Sequence, residues 1–169
     1  KEGLTFTDFT SQLMQFVESV DVTPPQSAYF SYYDAKNEKF DFSDQTLWLA
    51  KQKAVAKIMD SEKPSTMLDI GANTGWFSIL AAQRGIKVIA TDVDESSIDA
   101  LYLYSKQKKL KILPLLISFD NMTRQIFGKT YSDLEYRDRN FKATPLYVPA
   151  TDRLKSDMVL CLGLLHHLV

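Results

Sequence analysis

The stretch Met67-Leu68-Asp69-Ile70-Gly71-Ala72-Asn73-Thr74-Gly75-Trp76-Phe77-Ser78 constrains the fold more than any other part of the chain. An apolar run meets an acid, a turn with two glycines four residues apart follows, and a new apolar run begins at Trp76. Such a pattern places a strand, a sharp bend and a helix in succession. Backbone without a Cβ and the positive end of the helix then face one point in space. A second acid, Asp92, ends the next apolar run, 23 residues after Asp69. That is about the spacing at which a carboxylate on the neighbouring strand reaches the sugar hydroxyls of a nucleoside held by a βαβ unit.

From Ser65 onward short apolar runs alternate with helical segments, the signature of a doubly wound α/β parallel sheet. Strands are expected at 66–70, 86–91, 112–119 and 157–163, the last apolar enough to be buried between two helical layers. Helices are expected over 76–83, stopped by Gly85, and from Asp94 or Ser96 to about Lys108. Residues 122–156 show no period and are long for a connection. Upstream, Phe6, Phe9, Leu13, Phe16, Val17 and Val20 mark a helix over 4–20, followed by an aromatic segment from Gln26 to Phe42 that either covers core or closes over a ligand. Ser43 is positioned to cap a further helix with a core-facing stripe of Leu47, Ala50, Ala54, Val55, Ile58 and Met59, ending near Pro64. The expected organisation is an N-terminal helix and aromatic lid over 1–42, then a ligand-binding α/β domain over 43–169.

A chain of 169 residues with 45% hydrophobic content supports one core rather than two. Its formal net charge of −1 gives no global attraction to nucleic-acid phosphates or an anionic membrane, and the lysines at 106, 108, 109 and 111 suit a solvated helix end. One cysteine, Cys161, excludes a disulfide within the chain and a cysteine-based metal site, and fits a reducing cytoplasm. The longest apolar run, Met158 to Leu165, has eight residues, against about 20 for a helix that spans a bilayer. The start at Lys1 without methionine suggests an excised piece.

Three ligands compete for the glycine turn. A phosphate-binding P-loop needs lysine and a hydroxyl residue after its second glycine, where this chain has Trp76-Phe77. The dinucleotide fingerprint needs three glycines, and positions 73 and 76 hold Asn and Trp. S-adenosylmethionine has a nucleoside, no phosphates and an amino-acid tail, so fewer glycines suffice. The segments Leu68 to Gly75 and Val88-Ile89-Ala90-Thr91-Asp92-Val93-Asp94 resemble motifs I and II of the class I S-adenosylmethionine-dependent methyltransferases, and the resemblance runs from about residue 44 to 169. The stretch from Tyr32-Tyr33-Asp34 through Trp76 also looks like a bacterial subgroup of nodulation-protein-like methyltransferases.

The resemblance implies a Rossmann-like sheet of seven strands, so the chain is expected to be truncated after the fourth, with an open flank prone to self-association. It also implies cofactor roles: Gly71, Ala72, Asn73 and Gly75 line the methionine and ribose part, Asp69 orients the methionine amino group, and Asp92 accepts from both ribose hydroxyls. Val93 would pack on adenine, Asp120 and Asn121 would read its amino edge, and Gly163 would border the site past the fourth strand. The family's exocyclic-amine enzymes carry Asp/Asn-Pro-Pro-Tyr/Phe there. This chain has Gly163-Leu164-Leu165-His166-His167, which disfavours amino acceptors and leaves His166 or His167 as a general base or substrate orienter. The expected acceptor is a small molecule or modified nucleoside. A catalytically silent binding module and, more remotely, an NAD-dependent dehydrogenase are the alternatives.

Overall fold

The apolar runs pair into one four-stranded, all-parallel sheet in a computed structural model of the protein, which describes residues 5–21, 27, 30–35, 40–122 and 150–164. The strands are β1 (Thr66–Ile70), β2 (Lys87–Asp92), β3 (Ile112–Leu116) and β4 (Met158–Cys161), in the order β3-β2-β1-β4. Leu68 stands beside Ile89 on one side and Val159 on the other. The helices are α1 (Phe6–Ser19), the single turn α2 (Tyr32–Ala35), α3 (Ala50–Glu62), α4 (Trp76–Gln83), α5 (Glu95–Lys108) and the single turns α6 (Phe119–Met122) and α7 (Ala150–Arg153). The chain steps outward from β1 to β3, then returns to the other side of β1. This reversal opens a crevice beyond the carboxyl ends of β1 and β4, the usual ligand position in a Rossmann-like sheet.

Alternation along each strand divides the apolar residues between two faces. Met67, Val88, Ala90 and Leu160 face a core built from Val55 and Met59 of α3, Phe77 and Leu80 of α4 and Leu101 of α5. On the other face Leu68 and Ile70 cluster with Met122, Phe119 and Leu154. That smaller cover leaves Val159 57% exposed. The expectation that β4 is sandwiched between two layers is corrected accordingly: α6 and α7 lie over β1, not over Val159. Strands β3 and β4 are also shorter than their apolar runs, and β3 gives way to the turn of α6 at Phe119-Asp120-Asn121, where Asp-Asn favours turning.

Local chemistry fixes the other boundaries. Ser43 caps nothing; its N–H and hydroxyl donate to Asp41 (2.9 and 2.6 Å), and Asp44 caps a short 3-10 turn by accepting from the Thr46 N–H at 2.9 Å. Trp48 then turns inward and donates its indole N–H to the Asp41 carbonyl at 2.9 Å. The helix proper therefore starts at Ala50, and its buried face is Gln52, Val55, Ala56 and Met59, while Leu47, Ala50, Ala54 and Ile58 are exposed. At the opposite end of the sheet from the crevice, Asp157 accepts from the backbone N–H groups of Ser65 and Thr66, both at 2.9 Å. The Thr66 hydroxyl accepts in return from the Asp157 N–H at 3.0 Å.

Candidate functional site

The turn after β1 is built from three left-handed residues, Gly71 (φ 73°), Asn73 (φ 51°) and Gly75 (φ 86°). Asparagine tolerates this region better than other side-chain-bearing residues, which explains how it stands where a glycine would serve. The Gly71 and Ala72 N–H groups both donate to the Thr91 carbonyl (2.8 and 3.0 Å), strapping the turn to β2. Gly75 accepts from the Ile79 N–H at 2.8 Å, which starts α4. A Cβ on Gly75 would lie 2.5 and 2.7 Å from the two δ-carbons of Leu101. Gly75 thus lets α4 and α5 close on each other, and it does not border the crevice.

Asp92, at the tip of β2, points at this turn. Its Oδ2 accepts from the Asn73 N–H at 2.7 Å and its Oδ1 from the Asp94 N–H at 3.0 Å, which holds the carboxylate at the crevice mouth. Asp69 is buried on the floor, where its carboxylate accepts from the Ser78 hydroxyl at 2.6 Å. Burial pushes the Asp69 carboxyl up to about 6; the Ser78 bond opposes this and the negative charge of Asp92 adds to it. Asp94 caps α5. Burial works against its charge, but the hydroxyls of Ser97, Ser27 and Ser96 outweigh burial and hold it below the ordinary carboxylate range.

Between these groups lies a cavity of about 650 Å³, within the ordinary range for small-molecule sites. Asp69, Gly71, Ala72, Asn73, Asp92, Val93 and Gly163 all line it, so seven residues singled out in the sequence converge on one space. Val93 is 62% exposed, an apolar side chain left uncovered at the wall. Asp120 and Asn121 lie in the backbone of α6, and their side chains are outside the described residues, as are His166 and His167. Lys51, Phe77, Leu162 and Leu164 line this region and Ser78 supports it, and none of them was assigned to it by sequence. Tyr32, from the aromatic segment, lies on the wall as well, and Ser78 anchors Asp69. Ser78 was visible as a lone hydroxyl in the apolar run Trp76 to Ala82.

The aromatic segment covers core, the first of the two alternatives expected for it, and part of it borders the cavity. Tyr33 is buried, packs edge-on to Phe40 at 5.4 Å and also lines the cavity. Phe42 and Trp48 meet the fully buried Trp76 at 5.1 and 5.4 Å. The helix that carries the glycine turn is therefore fastened to the N-terminal segment. Among the described residues no cluster of three metal-ligating side chains occurs, and no helix is long and apolar enough to cross a membrane.

The parallel order, the left-handed glycine turn and the acid-tipped β2 together make this a Rossmann-like α/β arrangement with its crevice at the strand reversal. No protein-family model matches the sequence. The chain is 28% identical over 165 residues to the nodulation protein NoeA of Rhizobium meliloti (strain 1021), in an alignment covering 96% of this chain and 31% of NoeA. It thus spans about a third of that relative's length. Among solved structures it is similar to the T. thermophilus 16S rRNA N2 G1207 methyltransferase RsmC in complex with AdoMet and guanosine, at 21% identity and a TM-score of 0.40 over 50% of this chain and 24% of that one. It is also similar to the O-methyltransferase from Bacillus cereus in complex with SAH, at 17% identity and a TM-score of 0.39 over 66% and 52% of the two chains.

Proposed function

We propose that the cavity binds S-adenosylmethionine and that the protein is a methyltransferase acting on a small-molecule or modified-nucleoside acceptor other than an exocyclic amine. The observation that carries this reading is the placement of Asp92: a carboxylate held at the cavity mouth by the Asn73 and Asp94 N–H groups, opposite a turn whose backbone a ligand can approach closely. Its two oxygens suit the paired hydroxyls of a ribose. Val93 beside it offers an apolar surface to a base, and Asp69 offers a negative charge to an ammonium group. Asn73 and Trp76 stand where a dinucleotide fingerprint has its second and third glycines, which favours a nucleoside with an amino-acid tail over a dinucleotide.

A bound sulfonium supplies a methyl group that transfers in line to an acceptor nucleophile. The chain's part is to fix the tail and sugar, to present the acceptor from the β4 side near Gly163, and to take up a proton where the nucleophile carries one. His166 and His167 are assigned that last role by their chain position after β4 and by the pKa range of imidazole. The sequence after β4, Gly163-Leu164-Leu165-His166-His167, also lacks the Pro-Pro acceptor loop of amino-directed enzymes.

Calorimetry with S-adenosylhomocysteine against NADH tests the ligand: the first binds, the second does not, and Asp92→Ala weakens the first by roughly tenfold to a hundredfold, the worth of hydrogen bonds to a charged acceptor. Tight binding of NADH with no binding of S-adenosylhomocysteine overturns the reading. Methyl groups labelled with isotope and recovered on an acceptor from a lysate identify the reaction. Binding without transfer points instead to a silent module. Turnover within twofold of the parent in both His166→Ala and His167→Ala removes the histidines from the mechanism.

A further inference from the structure

A second cavity, of about 440 Å³, opens at the amino end of the sheet, opposite the crevice. Lys87 at the start of β2, Lys111 just ahead of β3 and Lys155 just ahead of β4 all line it, and neither an acid nor an aromatic ring is among the described residues that do. Val88 is level with Ile112, and the Val88 N–H donates to the Lys111 carbonyl at 2.9 Å. Lys87 and Lys111, one residue back on each strand, therefore stand side by side. Neighbouring strands lie about 4.8 Å apart, and like charges opposed at that spacing repel. Among the described residues neither of these two lysines forms an ion pair. Lys155 pairs with Asp152 at 3.1 Å, an exposed i,i+3 contact of the kind that holds a side chain weakly. Asp157, which follows Ser156 of the lining, is engaged by the N–H groups of Ser65 and Thr66 rather than by a lysine.

Strand alternation puts Ile89 and Leu113 on the same face as Lys87 and Lys111, and Leu113 is 54% exposed. The cavity thus combines an aliphatic floor with a cationic rim. Lysine holds phosphate as a point charge, and a terminal phosphate carries a charge of about −2 for such a rim to meet. The lack of a ring on which a base could stack argues against a nucleotide or single-stranded nucleic acid. The lack of Trp or Tyr at the rim argues against a bilayer surface. We propose that this cavity binds a soluble phosphate monoester with an aliphatic body, the phosphate drawn between Lys87, Lys111 and Lys155 and the chain laid on Ile89 and Leu113. Such a ligand relieves the repulsion between Lys87 and Lys111. Because Lys155 precedes β4, it also fastens the start of that strand to β2 and β3. The proposal is independent of what the crevice binds.

Calorimetry on the purified protein with hexyl phosphate, hexanol and inorganic phosphate tests this, alongside sedimentation with vesicles of phosphatidylcholine containing phosphatidic acid. Hexyl phosphate is expected to bind and hexanol is not, while inorganic phosphate binds about tenfold more weakly, the worth of partly burying the chain. Lys87→Gln and Lys111→Gln should each weaken hexyl phosphate by roughly threefold to tenfold, the discounted value of a charged contact at an exposed site. Both side chains are exposed, so neither change disturbs the core. With one of two like charges gone, the thermal midpoint of the ligand-free protein stays level or rises, while the increase produced by hexyl phosphate shrinks. Leu113→Asn should weaken hexyl phosphate and leave inorganic phosphate unchanged. The proposal is overturned if hexyl phosphate does not bind, or if both lysine variants bind it as the parent does. Inorganic phosphate binding as tightly as hexyl phosphate overturns it too, by showing a diffuse cationic patch, as does a protein that collects on the vesicles and ignores hexyl phosphate.

Discussion

Helices α1 and α5 have the same length, 14 residues, and opposite fates. Helix α1 has the cleaner apolar stripe and a complete capping box between Thr5 and Asp8, yet it buries no residue, and Phe6 is 82% exposed. Helix α5 presents a core face of Ser96, Ser97, Ile98, Leu101 and Ser105, of which three are serines, and every one of them is buried. The difference is topological. As the crossover between β2 and β3, α5 is obliged to lie on the sheet, and small hydroxyl side chains let it come close. Amphipathicity tells which side of a helix would be buried if a partner were present, and connectivity decides whether one is.

Substitutions across the two helices sharpen the contrast. The largest effect is expected for Leu101→Ala, which empties a fully buried site under Gly75 and costs about 2–5 kcal/mol in urea unfolding. Next comes Gly75→Ala, at about 1–3 kcal/mol, from its left-handed backbone and its clash with Leu101. Combined, the two changes should cost less than their sum, because the shortened residue 101 vacates the space the new Cβ needs. Full additivity would show that α4 and α5 do not meet there. Ser78→Ala should cost about 1–3 kcal/mol by stripping a buried carboxylate of its hydroxyl partner. At the bottom of the scale, Leu13→Ala on α1 should stay within about 0.5 kcal/mol of the parent. A larger loss would mean that α1 has a partner in solution.

Asp69 adds a pH signature to the buried side of the comparison. A carboxyl raised to about 6 holds its proton more firmly folded than unfolded. Its stabilising contribution is therefore present below about pH 4 and is lost as pH climbs through 6. Asp69→Asn should flatten that slope in pH-dependent unfolding. Ligand binding runs the other way: an ammonium needs the ionised acid, so affinity for S-adenosylhomocysteine should rise between pH 5 and 7 in the parent and not in the variant.

The legible parts of the molecule were those whose physics is local. Strand β1 and helix α4 fall at their expected residues because the apolar run, the two glycines and Gly85 are all signals within one short stretch. Asp92 was readable because a strand tip is a place as well as a residue. The phase of α3 was not, since the indole of Trp48 breaks the helix from Leu47 and the neighbouring α4 selects its inner face. Nor was the packing duty of Gly75, which depends on a leucine one strand and one helix later. Lys51 was hidden for a similar reason: among many helical lysines, only the fold puts this one on the wall of the cavity.

The reciprocal latch between Thr66 and Asp157 ties positions 91 residues apart. Its neighbours β1, β2 and β3 are joined by short crossovers and can assemble from near contacts, whereas β4 must return across a long detour before it has any reward. The fourth strand is therefore the natural latecomer in folding and the first to peel away when the protein breathes. Since Gly163 and Leu164 ride on its far end, the crevice is completed only when that return journey is finished.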